Sequence, residues 1–80
     1  MKVEIIRDIS EKFRGTAKLV KKGEEYFAVS HIEYTILDDG GPETLVFPCD
    51  KEGNVTDWCE VAGGKGVSIE EAIKELENLE

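Results

Sequence analysis

The stretch Pro42–Trp58, PETLVFPCDKEGNVTDW, decides the fold of this 80-residue chain. Leu45, Phe47 and Cys49 alternate with Thr44, Val46 and Pro48, the period-two signature of a strand. Asp50-Lys51-Glu52-Gly53 then reads as a turn. Asp at its first position bonds the backbone two residues on, and Gly at the fourth takes positive φ without a Cβ clash. A three-residue hairpin loop with a glycine bulge is expected. It pairs Asp50 with Asn54, Cys49 with Val55, Phe47 with Asp57 and Leu45 with Cys59. Leu45, Phe47, Cys49, Val55 and Cys59 then share the predicted core face. Val46 opposite Trp58 lies on the other, with Tyr26, Ile32 and Tyr34 as candidate neighbours.

The same register separates the two cysteines by four strand positions, roughly 13 Å. A disulfide needs Cα atoms within about 7 Å, so two reduced, partly buried thiols are expected, as in a cytoplasmic protein.

Working outward, Lys2–Ile9 reads as a first strand, Arg14–Lys21 as a second and Glu25–Tyr34 as a third. Pairing Lys21 with Glu25 places Leu19 opposite Phe27 and Ala17 opposite Val29, gathering four apolar side chains on one face. Asp38-Asp39-Gly40-Gly41-Pro42 breaks the pattern and forms a loop. The hairpin supplies strands at about 43–49 and 54–61, and Ala62-Gly63-Gly64-Lys65-Gly66 a flexible linker. Ser68-Ile69-Glu70-Glu71 is a capping box. Ile69, Ala72, Ile73, Leu76 and Leu79 recur at helical spacing, which predicts a helix over about 68–78. The expected fold is α+β over residues 1–80 as a single domain: an antiparallel meander of about five strands with one C-terminal α-helix on one face. At this length stability should be about 4–8 kcal/mol, with little room for a deep substrate cleft.

Charge is the compositional outlier. Residues 1–22 hold seven bases and three acids, a net of +4, and residues 23–80 hold three bases and fifteen acids, a net of −12. Direct nucleic-acid binding requires a basic stripe, which most of this chain lacks. No apolar run reaches membrane-spanning length, and Met1-Lys2-Val3-Glu4 does not open a signal peptide. A cytoplasmic protein without a membrane partner is expected.

No motif carries catalysis, a metal or a cofactor. Gly63-Gly64-Lys65-Gly66 lacks the Ser or Thr that follows the Walker lysine, and Glu70 and Glu71 would repel a phosphate. Asp50, Glu52, Asn54 and Thr56 alternate oxygens as a calcium loop does, but the sixth position is Val55 where such a loop needs Gly. Ser30, His31 and Glu33 are close in sequence, yet neighbouring strand residues face opposite ways. What remains is recognition. Asp38, Asp39 and Glu43 cluster in the loop, Asp57 and Glu60 lie on the predicted last strand, and Glu71 and Glu75 share a helix flank. Carboxylates about 5–6 Å apart on a helix imitate a run of phosphates, and an exposed Trp58 is a natural interface anchor.

The runs Gly41-Pro42-Glu43-Thr44-Leu45-Val46-Phe47-Pro48 and Gly53-Asn54-Val55-Thr56-Asp57-Trp58 resemble small proteins encoded by phages and prophages. Glu60-Val61-Ala62-Gly63-Gly64, Ser68-Ile69-Glu70-Glu71-Ala72-Ile73, Arg14-Gly15-Thr16-Ala17 and Tyr26-Phe27-Ala28-Val29-Ser30 extend the likeness over most of the chain. Short acidic phage proteins of this kind are similar to anti-CRISPR proteins, several families of which imitate DNA. The resemblance implies a non-catalytic inhibitor acting in the cytoplasm of a bacterial host. Its partner would be a host protein complex with a basic nucleic-acid-binding surface, such as a CRISPR surveillance complex. The alternative is a phage accessory module that binds protein through the sheet face around Trp58.

Overall fold

The computed structural model describes residues 2–33 and 41–79. They form β1 (Val3–Asp8), a 3-10 turn (Ser10–Lys12), β2 (Thr16–Lys22), β3 (Glu25–Ile32), β4 (Glu43–Cys49), β5 (Ala62–Lys65) and α1 (Ile69–Asn78). All strands pair antiparallel with their sequence neighbours, in the order β1-β2-β3-β4-β5. The expected α+β meander with one C-terminal helix is the observed architecture.

Local chemistry sets the ends of these elements. The Ser68 hydroxyl accepts from the Glu71 N–H at 3.1 Å while the Glu71 carboxylate accepts from the Ser68 N–H at 3.2 Å. This is the reciprocal capping box read from sequence. At the other end of α1 no basic residue lies in the last turn; Lys22 of β2 takes that role, its Nζ donating to the carbonyls of Leu76 (2.6 Å) and Leu79. A cation there satisfies orphan carbonyls and opposes the negative end of the helix dipole. The Asp50 turn also forms as expected: the Gly53 N–H donates to the Asp50 carbonyl at 3.0 Å, and Gly53 has φ 91°. The Asp50 carboxylate accepts from the N–H groups of Glu52 and Asn54, both at 2.9 Å, and these bonds, with Asn54 foremost, hold its pKa below the ordinary value.

The sheet is buried on both faces, which the sequence pattern did not resolve. Val3, Val20, Phe27, Val29 and Val46 pack under Ala72 and Leu76 of α1. The opposite face carries Ile9, Ala17, Leu19, Ala28 and Cys49, flanked by Phe13, Tyr26 and Val55. Among the described residues no helix covers that side; the hairpin tip folds across it. An added Cβ on Gly53 would stand 3.1 Å from the Ile9 side chain. Arg7 donates to the Glu52 carbonyl at 2.8 Å and Lys12 to Asn54 Oδ1 at 3.0 Å, fastening the tip to β1 and the 3-10 turn.

Two buried faces explain the register corrections. β2 and β3 pair Lys22 with Glu25, Val20 with Phe27 and Lys18 with Val29, one residue away from the expected Lys21–Glu25 pairing. Gly23 takes φ 63°, which suits the first central position of a two-residue type II′ turn. A one-residue slip exchanges faces, but here Val20 and Leu19 both find a core, so apolar content alone does not choose. Similarly, Val46 faces the helix, while Phe47 and Cys49 point to the other side.

The largest correction concerns the fifth strand, expected at 54–61 and found at Ala62–Lys65. The hairpin pairs only as far as a single Cys49–Val55 bridge and the bond from the Thr56 N–H to the Pro48 carbonyl at 3.0 Å. Phe47–Asp57 and Leu45–Cys59 do not pair; Val46 faces Ala62 and Leu45 faces Gly63 instead. Pro48 has no N–H to return to the ladder. Asp57 accepts from the Cys59 N–H at 3.0 Å, and this local turn draws residues 57–59 out of extended pairing. The chain rejoins at Val61, whose N–H donates to the Val46 carbonyl at 2.8 Å. The predicted linker is therefore a strand.

Candidate functional site

The excursion between Thr56 and Val61 is the exposed feature that this topology creates. Asp57, Trp58, Cys59 and Glu60 are all exposed. Trp58 is 70 % exposed, and its ring meets the edge of Phe47 with centroids 5.2 Å apart and planes at 66°. The contact fixes the indole against the sheet while leaving most of its surface to solvent. Trp58 thus lies away from the helix as expected, but on Phe47 and not beside Val46.

The other acidic candidates have different surroundings. Glu71 is committed to the capping box. Glu75 Oε1 accepts from the Gly63 N–H at 3.3 Å, covering an outward donor of β5. Glu43 is half-buried in β4, with Ile32 and Lys65 as its cross-strand neighbours. Asp38, Asp39 and Tyr34 lie outside the described residues. The structure therefore brings Asp57, Trp58 and Glu60 into one projecting segment and gives Glu71 and Glu75 structural work near β5.

Sequence reading missed what the bases do. Four of those in residues 1–22 donate inward: Arg7 to the Glu52 carbonyl, Lys12 to Asn54, Lys22 to the end of α1, and Lys18 to Asp8 at 3.2 Å. Lys21 Nζ sits 5.5 Å from the Tyr26 ring centroid. The Asp8 carboxyl, held by Ser10 first and by Lys18, has its pKa lowered to about 2. Because a meander keeps sequence neighbours adjacent in space, the split in charge along the chain becomes a split across the sheet. The β1–β2 side holds most of the bases, five of them engaged with groups of this chain, and the β4–β5–α1 side holds most of the acids, with Asp57, Glu60 and Glu70 exposed.

His31 has a structural role. Thr44 Oγ1 donates to the Val67 carbonyl, so its oxygen accepts from His31 Nδ1 at 2.7 Å, placing a hydrogen on Nδ1. Nε2 faces Glu33 at 3.1 Å. The relay ties β3 and β4 to the residue preceding the helix cap. Ser30 pairs with Leu45 on the other face, so no Ser-His couple forms.

An open groove of about 660 Å³ lies between the β2–β3 turn, the end of α1 and Val61, lined by Phe27, Pro48, Leu76 and Leu79. Cys49 reaches it, but burial first, and the Asp50 charge second, push its thiol up to about 11, which suppresses the nucleophilic thiolate. Among the described residues no three His, Cys, Asp or Glu side chains gather as a metal site, and no helix is long and apolar enough to cross a membrane. Both thiols are free, Cys49 buried and Cys59 exposed. A thiol reagent at neutral pH should modify Cys59 in the native protein and Cys49 only on unfolding, read by mass after peptide digestion; rapid native labelling of Cys49 would contradict its burial.

Compared with known proteins, the chain matches no family model, no curated protein and no solved structure.

Proposed function

We propose that this chain is a non-catalytic inhibitor, encoded by a phage or prophage, that binds a host complex at a basic nucleic-acid-binding surface. Its sharpest form is an anti-CRISPR protein that blocks DNA binding by a surveillance complex. The observation that carries the reading is the asymmetry of charge use. Arg7, Lys12, Lys18 and Lys22 are engaged within the molecule, whereas Glu60 and Glu70 are exposed in a chain of net charge −8. Such a surface is drawn to a basic channel by long-range attraction. Trp58 supplies the apolar anchor that charge alone lacks.

The test is capture from CRISPR-bearing bacterial lysates on the tagged protein, washed at about 50 and 300 mM salt. Capture of a surveillance-complex subunit that is lost at the higher salt is the expected result. Asp57→Asn, which keeps an acceptor for the Cys59 N–H, with Glu60→Lys should weaken that binding by about tenfold or more, while the exposed positions leave the unfolding temperature within about 3 °C. Inhibition unchanged by the reversal would sink the mimicry mechanism. A second reading rests on the Trp58–Phe47 contact alone: a phage accessory module that docks a protein on this sheet face. It predicts salt-tolerant capture and a larger loss from Trp58→Ala than from charge reversal.

A further inference from the structure

The two edges of the sheet are not equivalent. β5 spans four residues; its Gly63 N–H is taken by Glu75 as the Val3 N–H of β1 is by Glu77. β1 spans six residues, five of them exposed, including Ile5 at 56 % and Ile6 at 42 %. Over Lys2–Asp8, two bases and two acids cancel, so this edge is neutral in a strongly acidic molecule.

β1 also carries a bulge. Ile5 pairs with Val20 and Arg7 with Leu19, leaving Ile6 as the extra residue, which resets the alternation of faces. Val3, Ile5 and Asp8 pair with Lys22, Val20 and Lys18 on the helix side, and Glu4 and Arg7 pair with Lys21 and Leu19 on the other. The backbone direction follows from the ends of the strand. The Ile9 N–H donates to Ala17 of β2, so Asp8 turns outward. The Val3 N–H goes to Glu77 of α1 and not to β2, so Ile5 turns outward as well.

We infer that β1 is a self-pairing edge, joining two copies of this chain antiparallel about a two-fold axis between Ile5 and Ile6. This register sets Ile5 against the copy's Ile6, Val3 against its Asp8, and Glu4 against its Arg7. Outward-turned Val3 meets outward-turned Asp8, and the Val3–Asp8 and Glu4–Arg7 pairs each lie on one face only because the bulge shifts the alternation. Glu4 and Arg7, both on the face away from α1, then form two symmetry-related opposite-charge pairs. Shifting the copies by one residue in either direction sets the outward groups of Val3 and Asp8 against inward ones. Charges and bulges on an edge ordinarily discourage promiscuous pairing; here they leave one register in which the charges attract. The Val3 N–H stays with Glu77, so each end of the ladder keeps only the bond from the Asp8 N–H to the copy's Val3 carbonyl.

A ladder this short buries little area, and a dimer dissociating on the order of 10–100 μM is expected. Sedimentation equilibrium of the full chain, run up to about 1 mM, tests it. Wild type should approach the dimer mass. Glu4→Lys and Arg7→Glu, each placing like charges opposite one another, should be monomeric. An equimolar mixture of the two should regain dimer as a heterodimer, since the lysine introduced in one copy then faces the glutamate introduced in the other. Arg7→Glu also gives up the bond to the Glu52 carbonyl, so unchanged circular dichroism in each single variant separates lost pairing from lost fold. A wild type that stays monomeric throughout, or a mixture that stays monomeric while both variants are folded, would overturn the inference.

Discussion

Gly63→Ala is expected to be among the most destabilising single methyl additions to this protein. A Cβ at Gly63 would stand 2.1 Å from the Thr44 carbonyl oxygen and 3.1 Å from the Leu45 Cα, and the residue holds φ at 99°. The neighbours are backbone, so no rotamer change relieves the overlap; β5 must leave β4 or the residue must abandon its conformation. Together these should cost about 3 kcal/mol or more, a large part of the 4–8 kcal/mol or so expected for the whole chain. The unfolding midpoint should fall by about 12–24 °C. Gly66→Ala is the control. Gly66 also has positive φ, 77°, but an added Cβ meets nothing within 4 Å, so it reports backbone strain alone, about 1 kcal/mol. Thermal melts that coincide for the two variants would show that the β4–β5 approach is not close. A large gap, with Gly63→Ala lower, is the predicted result.

The second large effect belongs to Leu76→Ala. Leu76 is 1 % exposed and packs with Ala72 onto Val20, Phe27, Val29 and Val46. Truncation removes apolar contact and leaves a cavity walled by strands that cannot close in, at about 3–5 kcal/mol. Leu79 belongs to the same helical stripe in sequence, yet it is 43 % exposed, and Leu79→Ala should cost under about 1 kcal/mol. Urea unfolding of the pair measures the difference directly. Similar midpoints for both variants would mean that α1 is not seated on the sheet as described.

The contrast between Leu76 and Leu79 shows how far a periodic pattern reaches. It identifies a helix and its apolar stripe, but the depth of burial along the stripe depends on where the sheet ends beneath it. The candidate site has the same limit. That acids and a tryptophan mark the candidate surface was legible as residue type. That Glu71 and Glu75 are bound to backbone N–H groups, while Arg7, Lys12 and Lys22 reach partners 45, 42 and 54 residues away, was not. Only the fold brings such partners together.

The sequence by itself determined the features whose causes are local. The Asp50–Gly53 turn, the Ser68–Glu71 capping box, the helix and the antiparallel meander order all follow from groups a few residues apart. Two free thiols were also expected, but both partly buried; Cys59 is exposed, and the Leu45–Cys59 pairing behind that expectation did not form. Tertiary structure decided everything that depends on which surface meets which. It chose the β2–β3 register, because both slips offer apolar side chains and only two differently covered faces distinguish them. It turned Val46 toward the helix and Phe47 toward Trp58. It also moved the fifth strand from Asn54–Val61 to the glycines at 63 and 64, because close approach to Thr44 requires a residue without a side chain. In isolation a Gly-Gly pair signals flexibility; beside another strand's carbonyl it is what permits pairing.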